Sequence, residues 1–345
     1  MTSETPAPSE AERCWICRCR NQLLLLGLVL YGRRMSDRRL AGTPALDRVW
    51  ARLPIGARAV LEDELAPTDL QTLLLSLART RAHKVDLPRL RQRWQQDRFV
   101  RPSFTDPRKL AATVAHLWRM LPADFDGMAL SPVTPLGTCT ALGAADQNRV
   151  LSTVRSSEVI SDPTNVLVLE AAARRRGVAD GVHLAACHRA LRNQRFEAPE
   201  AAAHFELFAL VSSARDSGAG RTEAELLVRH LRFWADVTTA LLGAQVGRID
   251  LTFIGDGPLR ERVNDTVRPA LDGVRLAEAP ERSQGIGYYR SAAFKLVAQG
   301  DTADIELGDG GFTGWTAALT ADAKERCLIS CVATERLTQL IHVVD

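Results

Sequence analysis

Apolar and polar residues alternate from Tyr289 to Gln299, the period of a half-buried β-strand. A second short run, 304–307 (Asp-Ile-Glu-Leu), leads into Gly308, Asp309, Gly310 and Gly311. This glycine spacing predicts a turn in which backbone closely approaches another group. Cys327 to Val332 forms a third apolar run, too short for periodicity to choose between strand and helix. Glu335-Arg336-Leu337 then opens a predicted final helix. Strand, glycine turn, strand and arginine-bearing helix outline the floor of a pocket with a fixed cation at one end.

The same reading divides the rest of the chain. Residues 1–40 form a tail, 41–125 a helical region and 126–345 a mixed core. In the helical region, Pro67 opens a helix with Leu70, Leu73, Leu74 and Leu77 at helical spacing. Leu90 and Trp94 mark a shorter helix, and Asp106-Pro107 starts another with Leu110, Val114, Leu117, Trp118 and Leu121 on one face. In the core, Ser131 to Gly137 predicts a turn and Asn148 to Val159 an extended segment. Asp162-Pro163 predicts a helix start, with Val166, Leu167, Leu169 and Ala173 inward. Val182–Cys187 and Ala203–Val211 read as strands joined by a loop carrying Arg189 and Arg192. Thr222-Glu223-Ala224-Glu225 has the form of a capping box, opening a long helix with Leu227, Leu231, Trp234 and Leu241 inward. Ile249–Ile254, Leu259–Leu271 and Val274–Ala277 read as strand, helix and short strand.

Composition narrows the picture without naming a chemistry. The chain has 345 residues, 46% of them hydrophobic and 25% charged, ordinary for a protein with a sizeable core. A net charge of +3 does not call for nucleic acid or a membrane as partner. Lysine occurs only at 84, 109, 295 and 324, so nearly all positive charge is arginine, the residue suited to bidentate binding of phosphate and carboxylate. Arginines 79, 81, 89, 91, 93 and 98 crowd the helical region, as a solvated face or an RNA-binding one. Seven scattered cysteines set up no disulfide framework, and a reducing cytoplasm is the expected location. Cys14, Cys17 and Cys19 have half of a zinc spacing with no second half, so no metal site is assigned. The apolar run Leu23 to Tyr31 is too short to span a bilayer and lacks a cleavage site, and Met35 offers an alternative start.

Candidate site residues follow from these elements. Arg189, Arg192 and Arg336, with Glu335 beside the last, are the groups that would hold a polyphosphate. Gly308, Asp309, Gly310 and Gly311 are candidates for the substrate pocket, as are Gln284, Tyr288 and Tyr289. The two tyrosines, read as neighbours in one strand, point to opposite faces. His204, at a strand start, reads as structural. No nucleophile elbow, Walker loop, HExxH zinc motif or dinucleotide fingerprint is present.

In order and spacing, residues 131–342 resemble the catalytic core of class II aminoacyl-tRNA synthetases, and most closely the histidyl branch. The run from His188 through Gln194 is similar to the branch's FRxERPQ arginine loop. The segment from Gln284 to Tyr289 is similar to RGLDYYTG, Gly308 to Phe312 to GGGRYD, and Ala333 to Leu337 to the GLERL of the third motif. The resemblance implies an α+β fold, with an antiparallel sheet of six or seven strands flanked by helices, and a homodimer. It also implies bent ATP held on residues like Arg189 and Arg336, Mg2+ bridging its phosphates, and attack by a carboxylate to give an acyl-adenylate. Departures are equally specific. Leu191 stands for the adenine-reading glutamate, Gln284 for the catalytic arginine, Gly287 for its aspartate and Gly311 for the arginine of GGGRYD. The run 205–211 has no match for the residues that hold the amino acid. The chain ends after the third motif, which argues against an anticodon-binding domain and against ordinary tRNA charging. The expectation is an ATP-dependent ligase that activates a small amino or carboxylic acid for a carrier, protein or small-molecule acceptor. The alternative is a non-catalytic regulator or sensor resembling the ATP phosphoribosyltransferase regulatory subunit, with a partner enzyme. An RNA-binding module on the arginine-rich helices is a third reading.

Overall fold

The computed structural model describes residues 44–143, 145–175, 180–193, 203–243, 247–282, 287–299 and 304–344. The 1–40 tail, the Cys14/Cys17/Cys19 cluster, the Leu23–Tyr31 run and Gln284 lie outside the described residues. The chain divides into two compact units at residue 70. In the first, helix Pro44–Trp50 precedes a helical turn, Ala57–Ala59, that continues as a π-turn, Val60–Glu64. The Pro67–Ala82 helix runs across the division, and Leu73, Leu74 and Leu77 on it are exposed.

In the second unit the helix predicted from Asp106-Pro107 starts there, and the shorter one around Leu90 and Trp94 starts after Asp86. Asp86 caps helix Leu87–Gln96 by accepting from the Arg89 N–H at 2.8 Å, and Asp106 caps Pro107–Met120 through the Arg108 N–H at 2.8 Å. Leu90 and Trp94 are exposed, whereas Leu110 and Leu117 enter the core.

The core is an eight-stranded mixed sheet with helices on both faces, an α+β fold. The strands are β1 (Asp126–Gly127), β4 (Val182–Leu191), β5 (His204–Arg215), β6 (Gly247–Ile254), β7 (Leu276–Glu278), β8 (Tyr289–Ala298), β9 (Ile305–Thr313) and β10 (Glu325–Ala333). Their order is β1-β4-β5-β10-β9-β8-β6-β7. Six central strands pair antiparallel; β1 and β7 add parallel edges, which is where the count exceeds the expected six or seven. A separate ribbon pairs β2 (Val133–Pro135) with β3 (Ser157–Val159), so only the end of the expected extended segment 148–159 is strand.

One face is covered by the long helix Arg221–Leu242, by Pro107–Met120 and by the final helix Thr334–Val344. They pack Leu227, Leu231, Trp234, Leu117 and Leu337 against Ala185, Phe208, Phe294, Phe312 and Leu328. The other face receives helix Pro163–Arg174 and Trp315 over Leu184, Ala186, Ala209, Val211 and Ile329. We call the second the site face.

Four local expectations are corrected. The Gly308–Gly311 run is the middle of β9, not a turn, for reasons given below. β4 extends to Leu191, so Arg189 lies in a strand and not in the loop. The long helix starts one residue before Thr222, at Arg221, behind Gly220, which takes the left-handed conformation (φ 70°). Thr222 is therefore inside the first turn, and its hydroxyl accepts from the Ser217 N–H instead of capping the helix. Helix Pro163–Arg174 buries Leu167, Val168, Ala171 and Ala172 and exposes Ala173. That segment is apolar nearly all round, so periodicity does not choose its buried stripe; the small residues Ala186 and Ala209 facing it do.

A hydrogen-bonded chain crosses the helix-rich side. His183 Nδ1 meets Ser212 Oγ at 2.8 Å, Ser212 Oγ meets His230 Nε2 at 2.9 Å, and His230 Nδ1 meets Ser330 Oγ at 2.8 Å. Trp234 Nε1 donates to Ser330 Oγ at 2.8 Å, which leaves the Ser330 hydroxyl proton available to His230. With Ser330 donating to His230 Nδ1, His230 Nε2–H donating to Ser212 and Ser212 donating to His183 Nδ1, each of the three shared protons has an acceptor and both rings are neutral. Burial first, then the Arg229 charge, pushes His183 down to about 4, and full enclosure holds His230 well below its ordinary value. The unfolded chain protonates both rings below about pH 6.5. Stability is thus complete above that pH and falls as pH drops toward 4, by about 1.4 kcal/mol per unit for each ring. Urea midpoints at pH 7 and pH 5 are expected to differ accordingly. His183→Gln should remove about 2 kcal/mol of that difference; equal slopes in the two proteins would contradict the neutral chain.

Candidate functional site

Sheet register assembles the site face row by row. Asp250, Lys295, Asp309, Cys331, Ala209 and Ala186 are successive cross-strand partners on β6, β8, β9, β10, β5 and β4. Partners in a ladder share a face, so a polar row of Asp250, Lys295, Asp309 and Cys331 runs beside an apolar one. The neighbouring row, Ala293, Gly311, Ile329 and Val211, forms that apolar floor.

Tyr289 lies over this floor, and it explains one glycine. A Cβ on Gly311 would stand 2.6 Å from Tyr289 Cδ1. Tyr288 sits in the turn ahead of β8, not in the strand, so the two tyrosines do not alternate. Their rings are 4.3 Å apart, and Tyr288 stacks on Trp315 at 5.7 Å. Both tyrosines therefore line the site face. Burial pushes the Tyr288 hydroxyl up to about 12 and the Tyr289 hydroxyl well above its ordinary value, so both remain protonated donors.

Asp309 is the hub. Its Oδ2 accepts from Arg282 Nη2 at 2.7 Å and from the Tyr289 hydroxyl at 3.1 Å. Arg282 is enclosed, lies 5.0 Å from the Tyr289 ring centre and donates to the Phe294 carbonyl at 3.1 Å. Burial outweighs the adjacent guanidinium and raises the Asp309 carboxyl above its ordinary value, with the negative charge of Asp162 adding to the rise. Asp162 is the cap of helix Pro163–Arg174, accepting from the Thr164 N–H at 2.9 Å. Its other oxygen takes Arg192 Nη2 at 3.1 Å. Cys331 lies between these groups. Burial, then Asp162 and Asp309, push its thiol well above the ordinary value, so it is no nucleophile.

The structure separates the three arginines that the sequence groups. Along β4, Leu184 and Ala186 belong to the site face, while Ala185 and Cys187 pack on the opposite side. Alternation puts Arg189 on that opposite side, away from Asp309 and Tyr289. There it meets Glu335 Oε1 at 3.0 Å and His204 Nδ1 at 3.0 Å. A strap from the helical region closes over this group. Ser103 Oγ donates to Glu335 at 2.9 Å, His204 Nε2 meets the Arg101 carbonyl at 2.6 Å, and Arg98 donates to Asn193 Oδ1 at 2.6 Å. At the level expected for Arg189, the site face carries His188, whose buried Nε2 has no partner among the described residues. Burial lowers its pKa, which keeps the ring neutral. Arg192, past the end of β4, does reach the site face. It donates to Asp162 and the Ser161 carbonyl (2.9 Å), and its guanidinium lies over the Phe205 ring at 5.1 Å. Arg336 is exposed and donates to the Glu306 carbonyl, while the Glu306 carboxylate holds Lys295 Nζ at 2.6 Å.

Of the glycine run, Asp309 and Gly311 face the site, whereas Gly308 and Gly310 serve the sheet. A Cβ on Gly310 would stand 2.5 Å from Phe294 Cζ on the helix-rich side. Gly287 lies in the turn before Tyr288, with nothing within 4 Å of a built Cβ. The sequence gives no direct sign of Arg282, Lys295 or Cys331 as site residues, because only strand register brings them beside Asp309. Among the described residues no group of three or more His, Cys, Asp or Glu could hold a metal, and no helix is long and apolar enough to cross a membrane.

No protein-family model and no curated protein matches the sequence. Solved structures do share the architecture. An ATP phosphoribosyltransferase regulatory subunit/histidyl-tRNA synthetase from Bacillus halodurans has a TM-score of 0.54 at 9% identity, with 70% of this chain and 82% of that chain covered. A histidine–tRNA ligase subunit from Alicyclobacillus acidocaldarius has a TM-score of 0.52 at 12% identity, covering 70% and 97%. With a histidyl-tRNA synthetase from S. aureus the TM-score is 0.48 at 16% identity; 68% of this chain is matched, and it spans 65% of that chain. The core thus has the histidyl-synthetase-like class II fold. At these identities the likeness is one of fold.

Proposed function

We propose that the protein is a non-catalytic relative of the synthetase core that binds a small amino acid or related amine-bearing acid on the site face and regulates a partner enzyme through that binding. The placement of Arg189 carries this reading. Arg189, expected on the ATP phosphates, points to the other side of the sheet and is held there by Glu335 and His204. Arg192 is engaged by Asp162 and Phe205, and Arg336 by a backbone carbonyl. These three residues do not fit a bent ATP with Mg2+, so no adenylation step is derived for them.

The remaining groups suit an ammonium. The negative charge of Asp162 adds to the rise of the buried Asp309 carboxyl, and a ligand cation between them relieves that repulsion. Tyr288, Tyr289 and Trp315 supply an apolar wall with hydroxyl donors.

A thermal-shift panel of the common amino acids, each with and without ATP and Mg2+, tests the proposal. One or a few amino acids are expected to raise the melting temperature by several degrees at saturation. Asp309→Asn should abolish the shift, and ATP should add nothing. Amino-acid-dependent pyrophosphate exchange above background would overturn the reading in favour of a ligase that activates the acid with ATP and Mg2+.

A further inference from the structure

Helix Leu87–Gln96 buries none of its residues, and every one of them is exposed. Its sequence is nevertheless amphipathic. At roughly 100° per residue, Leu87, Leu90 and Trp94 fall within about 60° of one another. They are 79%, 52% and 54% exposed, so the fold leaves that stripe open. The preceding helix, Pro67–Ala82, buries no residue either, and Leu73, Leu74 and Leu77 form an open stripe on it. Phe104, between Leu87–Gln96 and the next helix, is also exposed. A helix of ten residues is marginal in water by itself, because most helical stability comes from packing of an apolar face. A surface that covers the stripe is what this segment lacks.

The net charge of the whole chain is small, but this segment departs from it. Between residues 71 and 96 six arginine and lysine side chains stand against one carboxylate, Asp86. That carboxylate is already engaged. It caps the helix through the Arg89 N–H at 2.8 Å and meets Arg89 Nε at 3.3 Å. Arg79, Arg81, Arg91 and Arg93 meet no carboxylate among the described residues. On Leu87–Gln96, Arg91 and Arg93 flank the stripe on its two sides, and the helix itself holds no acidic residue.

The surface that fits is therefore anionic and apolar at once. A nucleic-acid backbone supplies the anions but leaves the leucines in water. A layer of anionic lipid supplies both. Headgroups meet the arginines, whose stems run along apolar surface, and the acyl boundary takes the leucines. Tryptophan is a side chain suited to that boundary. With ten residues, three of them arginine, the helix is too short and too polar to cross a bilayer, so it lies in the plane.

From the open stripe and its flanking arginines, we infer that helix Leu87–Gln96 is a membrane-docking element that takes an anionic lipid surface. The inference is independent of what the site face binds.

Co-sedimentation of the full chain with vesicles tests it, comparing pure phosphatidylcholine with the same lipid carrying about one third phosphatidylglycerol. Binding is expected to be at least about tenfold stronger on the anionic vesicles and to weaken with salt. Arg91→Gln with Arg93→Gln should lose more than about tenfold, at about fivefold for each charge. Leu90→Ser with Trp94→Ser keeps every arginine and should lose at least as much. Brominated lipid should quench tryptophan emission in the wild-type chain and far less in Trp94→Phe, which places the contact at this helix. All four substituted side chains are exposed, and far-UV circular dichroism verifies the fold of each variant. Equal binding to both vesicles, undiminished binding by either double variant, unchanged quenching in Trp94→Phe or no binding at all overturns the inference. A self-associated chain that Leu90→Ser with Trp94→Ser turns monomeric would assign the stripe to a second copy. Retention of duplex RNA in place of vesicles would assign the arginines to nucleic acid. Either result overturns the inference as well.

Discussion

Gly308→Ala is expected to break the central sheet. A Cβ at this position would lie 1.9 Å from the Cys331 carbonyl oxygen and 2.8 Å from Val332 Cα. Both are backbone atoms of β10, the strand paired to β9 along 308–313. No rotamer change relieves such a contact, and only separation of the two strands does. Leu307 is the extra residue at the register shift, so Gly308 is where β9 closes back onto its neighbour. The loss should exceed about 4 kcal/mol, in the exceptional range for one substitution and comparable to the whole stability of many domains. Urea unfolding followed by far-UV circular dichroism checks it. Gly287→Ala is the control, because nothing lies within 4 Å of its Cβ, and it should change stability by less than about 0.5 kcal/mol. A Gly308→Ala protein with a wild-type midpoint would show that the glycine run does not serve strand closure.

Glu325→Ala is expected to cost about 3–5 kcal/mol. Glu325 Oε1 and Oε2 accept from Arg175 Nη2 and Nε, each at 2.9 Å, and Oε2 also accepts from Ser213 Oγ at 3.0 Å. The two side chains are 4% and 5% exposed. The pair ties the end of helix Pro163–Arg174 to the start of β10, and so holds the helix that carries Asp162 against the sheet. Alanine leaves a buried guanidinium without its carboxylate, which is the costly half of such a pair. Arg175→Met combined with Glu325→Leu should recover most of the loss, since apolar replacement of a whole buried pair is often neutral. A double-mutant cycle in chemical denaturation separates these outcomes. A fully additive cycle would mean that the bridge does not couple helix and sheet. Because Asp162 also faces the site, amino-acid binding should weaken in Glu325→Ala and return in the double variant.

Much of the fold was legible because its signals are local. Asp106 and Asp162 each precede a proline-led first turn and each caps a helix. The period-two run beginning at Tyr289 became β8, and Leu227, Leu231 and Trp234 became the buried side of the long helix. The order of the segments, arginine strand, tyrosine pair, glycine run and final helix, anticipated the class II arrangement that the solved structures share.

The site was legible only in part. Asp309 and the tyrosine pair, read as pocket candidates, do lie together on one face, but Asp309 was grouped with glycines that turn out to face both sides of the sheet. Arg189 and Arg192 looked equivalent in a loop. Three residues apart, they cannot share a face of one strand, and extending β4 to Leu191 decided which was turned away.

The sequence by itself determined where helices begin, which segments alternate and in what order they follow, because capping and side-chain period depend on neighbours in the chain. Only the tertiary structure decided which face each strand residue shows and which carboxylate each arginine meets. A strand's side chains reverse faces with a one-residue shift, and the partners that choose the shift are 15 to 146 residues away, as Arg189 with His204 and Glu335 shows.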